Sequence, residues 1–113
     1  MQNILNLTIV IPSIGEESLL SVIKNLNSTI SRPKKILIVI YKENFEKINN
    51  DIYLHNNVEV VQTNSPGQVN QRVEGFKLAL TDYVMQLDAD CYISNQSITA
   101  MINFLKNNKD FSV

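Results

Sequence analysis

Residues that mark several large classes of protein are scarce in this sequence. It has one cysteine, Cys91, no tryptophan and only two arginines, Arg32 and Arg72. A single cysteine excludes an internal disulfide and argues against a cysteine-based zinc site, as is typical of proteins in a reducing compartment. Ten Lys and Arg against eleven Asp and Glu give a net charge of -1. The chain therefore lacks the basic face of a nucleic-acid binder.

Long apolar runs and targeting signals are also missing. The longest apolar runs are much shorter than the ~20 residues that a membrane-spanning helix needs. The first residues, Met1-Gln2-Asn3-Ile4, have neither the basic segment nor the cleavage site of a signal peptide. We therefore expect a cytoplasmic protein without a membrane span. Lys34-Lys35 and the lysines near the C-terminus leave open a peripheral association with a membrane.

The sequence does contain enough apolar residues for one hydrophobic core. Of its 113 residues, 44% are hydrophobic and 19% are charged, which is typical of a folded chain and not of a disordered one. A chain of this length is too short for two domains. We therefore interpret residues 1–113 as a single domain.

Apolar runs typical of strands alternate with segments of helical periodicity. The predicted strands cover residues 5–11, 36–40, 58–61 and 83–87, and the first two are apolar on both faces, as in a parallel sheet. The first helical segment has an apolar stripe of Leu19, Leu20, Ile23 and Leu26, and a short second helix is expected over residues 43–50. The third stripe is Val69, Val73, Phe76 and Leu80, and the last is Ile98, Met101, Ile102 and Leu105. This order predicts an α/β fold of three layers with a mainly parallel, Rossmann-like sheet.

Two predictions concern the ends of these elements. Ser13 follows the first strand and precedes two glutamates, so it is a candidate loop or helix-capping residue. The segment Ser31-Arg32-Pro33 is expected to break the chain before the second strand, because proline disfavours regular structure around it.

Chemistry is expected where the strands end, because parallel α/β sheets bind ligands beyond the carboxyl ends of their strands. The sharpest feature there is Asp88-Ala89-Asp90, directly after the fourth predicted strand. Two carboxylates so close repel each other unless a cation or hydrogen-bond donors offset their charge. Their oxygens suit Mg²⁺ or Mn²⁺, which complete their shells with water and substrate phosphates. A solvated turn with aspartates that cap a helix is the structural alternative.

A second pattern runs from Gly67 through Arg72 to Gly75. A glycine before a helix lets backbone amides approach an anion, and the helix N-terminus favours negative charge. From one turn further, Arg72 would reach a phosphate or a base. The structural alternative to an anion-binding site is a loop glycine followed by an ordinary helix that carries a surface arginine.

Taken in order, these segments resemble the N-terminal half of a family 2 glycosyltransferase, an enzyme of the GT-A fold. The resemblance rests on residues 9–13 with Glu16-Glu17, on the second strand, on the Gly67/Arg72/Gly75 pattern and on residues 83–90. It covers nearly the whole chain. It implies a truncated GT-A sheet that binds a nucleoside-diphosphate sugar, a UDP-sugar first of all.

The resemblance also implies roles for single residues. Those that would bind the nucleotide-sugar are Pro12, Ser13, Glu16, Glu43, Gly67, Arg72 and Asp88. Asp88 and Asp90 would hold the Mn²⁺ or Mg²⁺ that bridges the diphosphate, since that leaving group accumulates charge as the glycosidic bond breaks.

One segment departs from the family pattern. After the second strand, members usually have an aspartate-containing stretch that holds the base, whereas this chain has Tyr41-Lys42-Glu43. Glu43 would substitute by hydrogen bonding, or Tyr41 by stacking. Within the helix pattern, Val73 stands where the family usually has asparagine.

The resemblance also limits the expected chemistry. An intact family member of the inverting type uses an Asp or Glu base to deprotonate the acceptor hydroxyl, and that base would lie beyond residue 113. We therefore expect the isolated chain to bind a nucleotide weakly without transferring a sugar. A truncated sheet would also expose an edge and an apolar face, which favours self-association.

Two other functions stay open at this point. A non-catalytic GT-A-like binding module would keep only the fold, and the missing aspartate after the second strand favours it. A phosphohydrolase of the haloacid-dehalogenase type also places Asp-x-Asp after an apolar strand, with the first aspartate as nucleophile. That family has the pair on its first strand, whereas three predicted strands precede Asp88.

Overall fold

The computed structural model describes residues 3–28, 31–90, 96–97, 100 and 103. Within them lie four strands, β1 (Asn3–Ser13), β2 (Ser31–Tyr41), β3 (Val58–Thr63) and β4 (Tyr83–Gln86). Two α-helices, α1 (Leu19–Asn27) and α2 (Gln68–Leu78), and two 3-10 helices, Lys42–Lys47 and Asn50–Leu54, connect the strands. The apolar stripe of the predicted last helix, and Cys91, lie outside the described residues.

The four strands form one sheet in the order β3-β2-β1-β4, and all three strand pairs are parallel. Helices cover both faces: α1 and the 3-10 helices pack on one, and α2 on the other. The α/β, Rossmann-like architecture predicted from the sequence is therefore confirmed. No helix in the described part of the chain is long and apolar enough to cross a membrane.

Alternate residues of the central strands build the larger of two apolar cores. Successive side chains of a strand point to opposite faces, so one face collects the isoleucines and leucines. Its buried members from β1 and β2 are Leu7, Ile9, Ile11, Ile36, Ile38 and Ile40. From the covering helices come Leu19, Val22, Ile23, Leu26, Ile48 and Ile52. The stripe predicted for the first helix is thus confirmed, with Leu20 partly buried beside the core.

The opposite face carries a smaller core of Val10, Leu37 and Val39, and α2 covers it in an unexpected way. The predicted stripe of α2 and the residues after it is wrong, because its members are exposed by 45 to 97%: Val69, Val73, Phe76 and Leu80. The buried residues of α2 are Gln71 and Gly75. The helix therefore packs through a polar residue and a glycine.

Gly75 explains how close α2 lies to the sheet. A methyl group at this position would overlap the Cγ1 atom of Val10 and lie 3.2 Å from the Cγ2 atom of Val39. Only a residue without a side chain fits between the helix backbone and these two valines. The smaller core is thin because the helix itself lies almost on the strands.

The start of β2 differs from the prediction. Ser31-Arg32-Pro33 does not break the chain but forms the first part of β2. Proline lacks the N–H that a strand donates, so it is tolerated where the ladder is already irregular. The pairing of β1 with β2 shifts register between Leu5 and Thr8, where β1 has one extra residue opposite Pro33 and Lys35.

Candidate functional site

The strand order creates a switch point between β1 and β4. The chain proceeds from β1 to β2 and β3 in one direction, and then crosses back to place β4 on the other side of β1. Parallel α/β sheets bind ligands at such a point, outside the carboxyl ends of the strands. The loop after β1 and the segment after β4, residues 14–18 and 87–90, therefore flank the expected crevice.

The loop after β1 is held by a compact set of hydrogen bonds. The Ser13 hydroxyl donates to Glu16 Oε1 at 2.6 Å, and the Ile14 N–H donates to the same oxygen at 2.9 Å. The Gly15 N–H donates to Ser13 Oγ at 2.9 Å. Gly15 has a φ of 85°, and a side chain there would overlap Lys47. One oxygen of Glu16 is thus occupied in shaping the loop.

Pro12 and Ser13 lie deeper than the rest of this loop. Both are buried at the end of β1, and Ser13 is only 1% exposed. Ser13 does not cap the following helix: Ser18 stands at the N-cap of α1, so a capping role for Ser13 is wrong. These two residues would form the floor of a pocket and would not offer free polar groups to a ligand.

Ser18 joins the two sides of the crevice. Its hydroxyl makes no capping bond to α1 and instead donates to the carbonyl oxygen of Ala89 at 2.8 Å, across 71 positions of the chain. The Ala89 side chain is 3% exposed in the larger core. Asp88 and Asp90 on either side of it are exposed. The central residue of Asp88-Ala89-Asp90 is therefore anchored, while both carboxylates face solvent.

The oxygens of these two carboxylates are the type of ligand that a hydrated divalent cation takes. One oxygen of Asp88 accepts a hydrogen bond from Gln86 Nε2 at 2.8 Å. No cluster of three or more His, Cys, Asp or Glu side chains occurs in the described ranges, so an all-protein metal cage is not formed by them. Mg²⁺ and Mn²⁺ need only one or two carboxylates when water and phosphates complete the shell.

The amino end of α2 lies near the carboxyl ends of the strands, where the loop after β1 and the segment after β4 also lie. Gly67 is its N-cap residue, exposed and with a φ of 111°. Arg72 is half-buried, and its Nη2 donates to Gln68 Oε1 at 3.3 Å. The Arg72 Nε–H is buried and has no acceptor among the described residues. A buried donor without an acceptor is costly, so a ligand oxygen at this position would be stabilising.

Comparison with known proteins identifies the family. The model of the glycosyl transferase family 2, named Glycos_transf_2, matches residues 8–113. The chain belongs to glycosyl transferase family 2. A comparison with curated proteins found no significant match. The all-parallel, four-stranded sheet is consistent with the GT-A fold that the resemblance implied.

At the end of β2, where the resemblance led us to expect an aspartate, this family 2 domain has Tyr41 and Glu43. Tyr41, the last residue of β2, is half-buried, and Glu43 is exposed on the 3-10 helix that follows. The pKa of the Tyr41 phenol is raised above 10.0 because burial disfavours the phenolate, and because Glu43 accepts its hydrogen bond and repels negative charge. We refer to these two electrostatically linked side chains as the Tyr41–Glu43 unit.

Gln71, like Ser18, is a residue of this family 2 domain that the sequence pattern did not single out. It is 2% exposed, and its Nε2 donates to the carbonyl oxygens of Ser13 at 2.8 Å and Val39 at 2.6 Å. A glutamine inside a helix normally reads as a solvated residue. Only its spacing of four from Gly75, on one face of α2, hints that it faces the sheet.

Hydrogen bonds among the described residues connect the segments that carry some of the predicted site residues of the family 2 domain, but not all of them. Ser18 links the loop that carries Glu16 to Asp88-Ala89-Asp90, and Gln71 links the helix that carries Arg72 to the end of β1. Among the described residues, no hydrogen bond or ion pair joins Glu43 to the other predicted site residues.

Proposed function

We propose that this domain binds a nucleoside-diphosphate sugar together with a divalent cation, outside the carboxyl ends of β1 and β4. Family membership supports a glycosyltransferase-like function. The observation that carries the proposal is the position of Asp88 and Asp90: both are exposed at the switch point, on a turn anchored by Ala89 to Ser18.

The diphosphate is assigned to the space between this turn and α2. The amino end of a helix favours negative charge, and the free N–H groups of its first turn can donate to phosphate oxygens. The Arg72 guanidinium adds a positive charge, and its buried Nε–H needs an acceptor. Gly67 leaves the approach to these donors free of a side chain.

Asp88 and Asp90 are the residues that would hold Mn²⁺ or Mg²⁺. When bound, such a cation offsets the charge that accumulates on a diphosphate leaving group. The loop after β1, with the second carboxylate oxygen of Glu16, is assigned to the ribose and base, and the Tyr41–Glu43 unit to the outer edge of the base. We assign donor binding to residues 1–113 and assign no described residue as the catalytic base.

The alternatives differ in what favours them. The family match favours a glycosyltransferase over a phosphohydrolase of the haloacid-dehalogenase type. A non-catalytic binding module retains one observation in its favour, the Tyr41–Glu43 unit in place of the usual aspartate. Both a transferase and a binding module would bind the nucleotide, so nucleotide binding is the property to measure first.

Titration calorimetry with UDP and GDP, each with and without Mn²⁺, tests the proposal. We expect UDP to bind in the presence of Mn²⁺. Omission of Mn²⁺ or the change Asp90→Asn should weaken binding at least about tenfold, or ~1.4 kcal/mol. Asp82→Asn is the matched control, because Asp82 is also exposed but precedes β4, at the amino end of that strand.

Two results would count against the proposal in different ways. Binding that is independent of Mn²⁺ and unchanged by Asp90→Asn would exclude the metal assignment. If neither nucleotide binds under any of these conditions, the nucleotide-sugar site itself is wrong.

A further inference from the structure

We propose that Gln71 is a positioning residue, which fixes the rotation of α2 about its axis so that Arg72 faces the nucleotide-sugar site. This inference rests on the proposed function for the role of Arg72. It concerns a residue for which no contact with the ligand is expected and which lies on the face of α2 that packs on the sheet.

The contacts of Gln71 bridge two strands at their functional ends. Its side-chain nitrogen donates to the carbonyl oxygen of Ser13, the last residue of β1, and to that of Val39 in β2. In the β1–β2 ladder, Ser13 pairs with Ile40 and Pro12 with Val39, so the two carbonyls belong to neighbouring rungs. A single amide thus uses both of its N–H groups to join α2 to two adjacent strands.

Gln71 and Gly75 together determine how α2 lies on the sheet. They are four residues apart and therefore on the same helix face, one turn from each other. Gly75 sets the distance, because its backbone lies directly against Val10 and Val39. Gln71 sets the rotation, because its two hydrogen bonds are directional whereas contacts between apolar side chains are not.

The direction of Arg72 follows from this rotation. Successive side chains of an α-helix are rotated by ~100° about the helix axis. When the Gln71 side chain points onto the strands, the Arg72 side chain therefore extends from the side of the helix. Its Nε–H lies there in a buried position without an acceptor among the described residues. The same residue, Ser13, receives the bond from Gln71 and supports Glu16 with its hydroxyl. Gln71 thereby couples both walls of the proposed pocket.

The test removes the two donors of Gln71 while keeping its volume. Gln71→Met retains the length of the side chain and leaves the two carbonyl oxygens without this partner. Gln62→Met is the matched control, because Gln62 is exposed on β3 and has no assigned role in the site. Calorimetry with UDP and Mn²⁺ at a temperature where all variants are folded measures affinity apart from stability.

We expect Gln71→Met to weaken UDP binding about tenfold and Gln62→Met to leave it unchanged. The loss should be absent in an Arg72→Met background, because Gln71 acts through Arg72. An equal loss in both backgrounds, or a lowered stability with unchanged affinity, would show that Gln71 is only structural and would overturn the inference.

A nuclear magnetic resonance measurement separates this inference from the proposed function. Without any nucleotide, Gln71→Met should shift the carbonyl ¹³C signals of Ser13 and Val39 and the Nε–H signal of Arg72. An unmoved Arg72 signal refutes positioning by Gln71. If the nuclear Overhauser contacts of the Arg72 side chain also change, which a substitution of its neighbour alone does not cause, but the wild-type chain binds no nucleotide, Gln71 still positions Arg72 and the proposed ligand is wrong. Should Gln71→Met not fold, Gln71→Asn, which shortens the amide by one methylene, takes its place.

Discussion

Side chains that donate to main-chain carbonyl oxygens fix both ends of the sheet. At the carboxyl end, Ser18 donates to Ala89 and Gln71 to Ser13 and Val39. At the amino end, the buried Asn57 amide donates to the carbonyl oxygen of Pro33 at 3.0 Å. Carbonyl groups at strand ends often lack a ladder partner, and leaving them buried without one is unfavourable. Single polar residues therefore determine where the strand ends lie.

At the scale of single residues, titration can test the influence of Glu43 on the pKa of Tyr41. Glu43→Gln keeps an acceptor but removes the negative charge, so the pKa of Tyr41 should fall toward 10.0, while the part due to burial persists. The near-ultraviolet absorbance of phenolate, compared with that of Tyr41→Phe to isolate this tyrosine, gives the midpoint. Glu46→Gln changes a second exposed carboxylate on the same 3-10 helix and should leave it unmoved.

The sign of the effect on stability follows from the direction of the shift. A pKa that is higher in the folded than in the unfolded state stabilises the fold below the unfolded value, and this contribution is lost as the pH rises through the folded value. The alkaline loss of stability that is due to Tyr41 should therefore be smaller in Glu43→Gln. Identical midpoints for the wild type and this variant would show that the charge of Glu43 has no influence on Tyr41.

At the scale of the elements, the strands could be predicted from the sequence and the packing of α2 could not. Runs such as residues 36–40 are buried on both faces of the sheet. Continuous hydrophobicity is typical of strands in that environment. In α2, by contrast, close approach requires a glycine and the rotation depends on a glutamine. Neither residue contributes to a hydrophobic stripe, so periodicity placed the wrong face of the helix on the sheet.

The candidate site divides in the same way. Asp88-Ala89-Asp90 could be predicted, because it directly follows a strand and its carboxylates need no partner within the protein. Ser18 and Gln71 could not be predicted. Both donate to main-chain carbonyl oxygens, which every residue has, so the identity of the accepting residue does not reveal the bond. The 3-10 helices after β2 also replaced the single short helix expected there.

The close approach of α2 predicts the effect of one added methyl group. Gly75→Ala would force α2 away from Val10 and Val39. Overpacking of this kind costs about 1–3 kcal/mol of stability, which exceeds the ~1 kcal/mol that alanine contributes over glycine in a helix. Urea unfolding measures the difference. Val69→Ala on the exposed side of α2 is the control, because it adds helix propensity without a clash and should not destabilise the protein.

At the scale of the whole molecule, the two faces of the sheet differ in strength. The larger core contains fourteen buried residues, which come from β1, β2, α1, the region of the 3-10 helices and the segment after β4 with Leu87 and Ala89. The smaller core contains Val10, Leu37 and Val39. Regions with few buried apolar contacts open more readily than the rest of a protein. The helix that carries Arg72 therefore covers the weaker face.

Amide hydrogen exchange should reveal this asymmetry. We expect the slowest exchange in the centres of β1 and β2, and faster exchange in α2 than in α1, because the buried residues of α2 are Gln71 and Gly75 and those of α1 are four apolar side chains. Mass spectrometry of peptides from the two helices after exchange in D₂O compares them directly. Equal protection of α1 and α2 would mean that the smaller core holds its helix as firmly as the larger one.

The alternation of large and small side chains in β1 has a consequence for changes in chain length. Deletion of one residue near Ile9 would exchange the two faces of the strand, so that the larger isoleucine would take the place of Val10, which already lies directly against Gly75. The register shift between Leu5 and Thr8 already absorbs one extra residue, far from Ser13. Insertions and deletions in this strand are therefore tolerable only at that irregular point, on the side away from the site.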